Sequence, residues 1–167
     1  MKIVIAVAFY LLYWFCCFLG TGTDKKNLLG LRSYPDEVQR LVKNEPSLAP
    51  YLPKEKSILS ILFGNLLLFT VVFSALGILL KSVLGLTNYL SAFVYFLLFG
   101  EGLGVFDLLV IDLLWWRNTK RIRFSFITEK EMYRNPKKHV GSFLRGIPLF
   151  AVVAAISAGI VTLITIF

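Results

Sequence analysis

The chain has 167 residues, of which 57% are hydrophobic, 15% aromatic and 17% charged, with a formal net charge of +8 and a mean hydropathy of +0.73. A soluble domain of this length buries only about 70% of the surface its unfolded chain exposes, too little to hide so much apolar material, so the remainder must face lipid. Neither a disulfide framework nor a spaced zinc site can be built from Cys16 and Cys17, which are adjacent in an apolar run.

Other familiar chemistries are equally short of residues. The only histidine, His139, stands in a basic polar stretch and is expected to be a solvated loop residue, so a haem held between two imidazoles is excluded within one chain. There is no phosphate-cradling glycine loop, no paired-histidine zinc motif and no nucleophile elbow. No metal and no cofactor are expected.

Crossing the hydrocarbon takes about 20 apolar residues, and four stretches qualify, at about 3–20, 58–80, 89–116 and 146–167. The first resembles a secretory signal only superficially: Tyr10, Tyr13, Trp14, Phe15 and Phe18 crowd the end where small residues should precede a cleavage site. It is expected to be retained. The predicted fold class is therefore all-α, a polytopic membrane protein forming one integral membrane domain over 1–167. Four transmembrane helices are joined by cytoplasmic segments 21–57 and 117–145.

In the first of these segments Ser33 can cap a short helix with Pro35 in its first turn and Asp36 at the capping-box position. Tyr34, Val38, Leu41 and Val42 give it an apolar face, suited to lying on headgroups or to docking a cytoplasmic partner. Pro46, Pro50 and Pro53 stop the helix and lead an extended chain into the second span.

The third span carries three carboxylates, Glu101, Asp107 and Asp112, although a charge at mid-membrane costs about 2.5 kcal/mol or more on insertion scales. At about 100° per residue, Glu101 and Asp112 fall within roughly 20° of each other but roughly 16 Å apart along the axis, while Asp107 is rotated by about 120°. One compact carboxylate pair is thus not expected. Asp112 is expected to make an interfacial ion pair with Arg117 or with Arg145 at the start of the fourth span. Glu101 has no basic residue at its depth. Hydrocarbon favours the neutral carboxyl, making Glu101 a candidate for binding a proton, a cation or a cationic substrate, with Asp107 and Asn65 as further members of such a site. The alternative is a protonated Glu101 hydrogen-bonded to Asn65, Thr70 or Ser74 of the second span. Gly100 and Gly104 bracket Glu101 as a G-x-x-x-G pair that admits another backbone.

In the second segment, Arg121–Phe126 alternates, placing Ile122, Phe124 and Phe126 on one side if extended, and Thr128 with Glu131 offers a capping box for a short helix that Asn135 and Pro136 end. Lys120, Arg121, Arg123, Lys137 and Lys138 are candidates for anionic lipid headgroups. The fourth span opens with Pro148 in its first turn and presents Ala151, Ala155, Ala158 and Thr162 as a packing face, with Ala155 and Gly159 four apart.

Sixteen of the eighteen Lys and Arg residues lie in the two long segments, so the positive-inside rule puts both in the cytoplasm and both termini outside. Trp14, Trp115 and Trp116 fall near the cytoplasmic ends of their spans, and Tyr89 near an outer end. Basicity beside a bilayer is accounted for by orientation and lipid, so no nucleic-acid partner is expected.

The run from Val110 through Asp112, Trp115, Trp116 and Arg117 to Phe124 resembles a stretch of small uncharacterised membrane proteins of Gram-positive bacteria, some of them labelled transporter permeases. That resemblance implies a four-span membrane protein and assigns no functional residue. The architecture is also superficially similar to small multidrug transporters, whose essential glutamate lies in the first span rather than the third.

The leading expectation is a small bacterial inner-membrane protein acting in transport. It would be an oligomeric carrier or the membrane subunit of a larger complex, with Glu101 as its protonatable group and Gly100, Gly104, Ala155 and Gly159 at helix contacts. A second class is a non-catalytic scaffold that recruits a cytoplasmic partner at anionic lipid. A third, ranked below both, is a lipid-headgroup enzyme using Asp107 or Asp112 beside Arg117, Lys120 and Arg121.

Overall fold

The computed structural model describes residues 1–164; the last three residues of the fourth expected span lie outside the described residues. The fold is all-α, with no strand among the described residues. Helix α1 spans Lys2–Leu19. Helix α2, Asp24–Leu29, starts where the Thr23 side chain accepts from the Lys26 amide at 3.3 Å. Helix α3, Asp36–Lys43, has Asp36 and Glu37 in its first turn and Arg40 and Lys43 in its last, both complementing the helix dipole. Its start differs from expectation: Ser33 belongs to a separate 3₁₀ turn, and Pro35 holds the capping position with no side-chain bond. Helix α4, Ile58–Leu79, is capped by Ser57, which accepts from the Ser60 amide at 3.1 Å. The one-turn α5, Lys81–Leu84, ends on Gly85 at φ +63°, a conformation that favours glycine.

Helix α6, Tyr89–Phe106, continues as a π-helix over Asp107–Trp116. A ten-residue π segment is uncommon, since π geometry occurs mostly as single-turn bulges. Helix α7 runs from Lys137 to Leu163, nine residues earlier than the apolar run begins, so Pro148 lies inside the helix rather than in its first turn. Asn135 and Pro136 open this helix: the Asn135 carboxamide oxygen accepts from the Lys137 amide at 3.0 Å. The Thr128 capping box does not form, because the short 3₁₀ turn Lys130–Tyr133 is preceded by Glu129 without a side-chain bond.

Among the described residues four helical stretches are long and apolar enough to cross a membrane; three match expected spans, and the fourth, Lys130–Leu163, overlaps the expected one but begins earlier. On α4 the residues Leu59, Phe63, Leu67 and Val71 recur every fourth position and are all exposed, an apolar stripe for lipid to cover. The chain is a multi-pass membrane protein.

Two compact units divide the chain. The first comprises Met1–Phe9, Lys56–Gly104 and the stretch from Leu144 onward. Its interior is aromatic: buried Phe73 lies 5.9 Å from Phe96, 5.0 Å from Phe99 and 6.1 Å from Phe150, ring centre to ring centre. Close approach depends on Gly77, where a Cβ would stand 2.6 Å from Phe96 and 2.7 Å from Val161.

The second unit comprises Tyr10–Glu55 and Val105–Phe143. Leu28, Leu31, Tyr34, Val38, Val42 and Leu48 meet Trp116, Ile122, Phe124, Ile127 and Tyr133 in one core. Residues 121–127 turn irregularly instead of forming the expected extended run, so Ile122, Phe124 and Ile127 point inward while Phe126 is exposed. Buried irregular backbone needs partners, and side chains supply them. Asn27 donates to the carbonyls of Arg121 and Arg123, Tyr34 donates to Ile122 at 2.7 Å, and Tyr133 donates to Ile127 while accepting from the Phe124 amide. Burial holds the Tyr34 phenol well above the usual tyrosine range, keeping it a donor.

Candidate functional site

In the first unit the candidate group is Glu101. Its neighbour Gly100 is a helix contact within the chain: a Cβ there would stand 2.8 Å from the Phe150 ring of α7. The Glu101 Oε1 is buried and has no hydrogen-bond partner. The hydroxyls of Thr70 and Ser74, which could have supplied one, are themselves buried without partners, as is that of Tyr95. The hydrogen-bonded packing role is therefore not what these side chains build. Asn65 is half-buried on α4.

The packing face of α7 is rotated from the expected one. Val153, Ala154, Ser157, Ala158 and Val161 are buried, while Ala155 is only half-buried and a Cβ on Gly159 would meet nothing within 4 Å. The carbonyl of Ala155 accepts from the Tyr89 hydroxyl at 3.4 Å.

In the second unit the π segment changes the carboxylate geometry. Its hydrogen bonds join residues five apart, as in Arg117 N–H to the Asp112 carbonyl at 3.4 Å, so residues five apart share a side that α-helical counting separates by about 140°. Asp107 and Asp112 are such a pair, and Asp107 lies within electrostatic range of both Asp112 and His139. The π register thus puts Asp107 and Asp112 on one side, where α-helical counting sets them well apart. The Tyr13 phenol and the Cys17 thiol of α1 fall within electrostatic range of the same two carboxylates.

Asp112 itself is partnered by His139, whose Nδ1 stands 2.9 Å from Oδ1. This overturns two expectations. Among the described residues Asp112 pairs with His139 rather than with Arg117, and His139, with 4% of its surface exposed, is buried rather than solvated. Arg145, the other expected partner, belongs to the first unit. The Trp116 ring sits edge-on to the imidazole at 4.7 Å, and His139 Nε2 is buried without a partner. A carboxylate on Nδ1 orients the ring, as the carboxylate does in acid–base dyads.

The basic residues also divide. Arg121 donates to the carbonyls of Phe18 and Thr21 and lies over the Phe18 ring, so it closes the end of α1 rather than facing headgroups. Arg123 donates to Thr128, and Lys138 pairs with Asp36 at 2.6 Å. Lys120 and Lys137 are exposed. Among the described residues no three His, Cys, Asp or Glu side chains gather as a metal-binding group.

Sequence reasoning missed the imidazole–carboxylate pair because the partners lie in different segments. The available signal was the apolar and aromatic content of both segments, too high for solvated loops. Comparison with protein-family models, with curated proteins and with solved structures gives no match to this chain.

Proposed function

We propose that the chain acts in transport across a bacterial inner membrane, as an oligomeric carrier or as the membrane subunit of a larger complex. Both termini lie outside and the two basic segments lie in the cytoplasm. Glu101 is the group that binds a proton or a cation. One observation carries this reading: a carboxyl oxygen on a membrane helix is enclosed by the chain with no protein donor or acceptor, and an ionisable group so placed marks an ion pathway by default. The charge asymmetry of the segments supports the orientation. Reconstituted vesicles with a trapped pH or cation indicator test the reading, using the chain with whatever subunit copurifies. Glu101→Gln is expected to lower flux at least tenfold with the protein still inserted. Equal flux in wild type and variant refutes the role.

A second reading, a lipid-headgroup enzyme, is favoured by the Asp112–His139 pair, an imidazole oriented by a carboxylate, whose buried Nε2 would have to become exposed to act as a general base. Lipid turnover abolished by Asp112→Asn, with Glu101→Gln silent, would put it first. Of the four residues on which the scaffold reading rests, Tyr34, Val38 and Val42 are buried inside the second unit and Leu41 is exposed.

A further inference from the structure

We propose that Arg117, Asn118 and Arg134 form a binding site for a phosphate-bearing anion, drawn from a lipid headgroup or from free phosphate. Together with Leu113 they line a cavity of about 260 Å³ in the second unit. Two arginines lining one space bring like charges together, a repulsion that an anion held there would offset. The carboxylate that the sequence places nearest Arg117, that of Asp112, is engaged by His139. Arg117 Nε, shielded from solvent and without an acceptor, is closed to an anion, so contact from this side chain falls to its Nη atoms. Arg134 has one counter-ion, Glu131, at 2.8 Å from Nη1 in an exposed pair. One carboxylate against two guanidinium groups leaves a net positive cavity.

A helix C-terminus would ordinarily repel an anion through its free carbonyls. Here two of the last carbonyls, those of Leu114 and Trp115, are occupied. Asn118 Nδ2 donates to the Leu114 carbonyl at 2.7 Å, and the amides of Asn118 and Thr119 both donate to that of Trp115. The cavity follows directly on Trp116, the last residue of the third membrane span. Tryptophan at a span end marks headgroup depth, where lipid phosphates lie. The planar fork of arginine matches phosphate oxygens two at a time. This site differs from the headgroup candidates of the sequence, since Arg121 and Lys138 are held by protein partners, and it rests on neither functional reading above.

Native mass spectrometry of the full chain, released from micelles with equimolar phosphatidylglycerol and phosphatidylcholine, tests the proposal. Preferential retention of phosphatidylglycerol is expected. It should fall about fivefold in Arg117→Gln and again in Arg134→Gln, the factor corresponding to ~1 kcal/mol for a basic residue at an anionic surface. Arg117→Lys, which keeps the charge and loses the fork, should fall between. Lys54→Gln, an exposed charge remote in sequence from the cavity, should bind as wild type does, and far-ultraviolet circular dichroism of each variant checks the fold. Displacement of the lipid by millimolar inorganic phosphate would identify a free anion as an occupant, and resistance would identify the headgroup; both retain the site. Unchanged retention in the two arginine variants, or an equal loss in Lys54→Gln, overturns it.

Discussion

Val38→Asp separates a folded second unit from a helix lying on lipid. Val38 is 0% exposed and shares its core with Tyr34, Ile122 and Phe124, whereas Leu41, one turn along the same helix, is 37% exposed. Removing the buried valine side chain forfeits about 1.5–3 kcal/mol. Leaving an unpaired carboxylate in its place costs several kcal/mol more. The total, about 5 kcal/mol or more, is comparable with the whole stability of a small domain. Leu41→Asp should cost about 1 kcal/mol or less, as exposed substitutions do. Hydrogen exchange with mass spectrometry on the lipid-reconstituted protein reads the difference. In Val38→Asp the segments 21–55 and 117–135 should lose protection together, because they share one core; in Leu41→Asp both should keep it. Loss confined to residues 36–43, or equal loss in the two variants, would refute a common core.

Gly100→Ala drives a methyl into Phe150, whose ring is held by Phe69 and Phe73, and should destabilise the first unit by about 1–3 kcal/mol in thermal unfolding, with partial rescue by Phe150→Leu. Gly22→Ala meets both a φ of +110° and the Arg121 guanidinium at 2.7 Å, and should cost about 1–3 kcal/mol and loosen the 117–135 segment in the same exchange experiment. The exposed Lys43–Glu55 pair holds the Glu55 carboxyl below the usual glutamate range, chiefly through the hydrogen bond from Lys43. A depressed folded-state value means that the pair's small contribution is present above the unfolded glutamate range and is lost as pH falls through the folded one. In Lys43→Gln, Glu55 should titrate at its ordinary position by NMR.

The spans were legible because hydropathy over about 20 residues is set by the bilayer itself, and Ser57 and the apolar run after it fix α4 almost to the residue. The start of α7 was not, because polar residues such as Lys137, His139 and Ser142 continue a helix as readily as apolar ones. Nor does composition reveal the π register that aligns Asp107 with Asp112: a one-residue change in hydrogen-bond spacing leaves no mark on hydropathy. His139 read as solvated because its burial is a tertiary fact, created when residues 105–143 pack with residues 10–55. Glu101 was legible as an anomaly of charge in a span, but that Thr70 and Ser74 would leave its Oε1 without a partner required coordinates.

Infrared difference spectroscopy on the chain in lipid, with glutamate carboxyls isotopically labelled, tests the central claim that Glu101 exchanges a proton or cation. The account predicts a labelled protonated-carboxyl band that responds to bulk pH, vanishes in Glu101→Gln and persists in Asp107→Asn. The same pH-responsive band in Glu101→Gln, or no response of the Glu101 band to either pH or added cation, would contradict it.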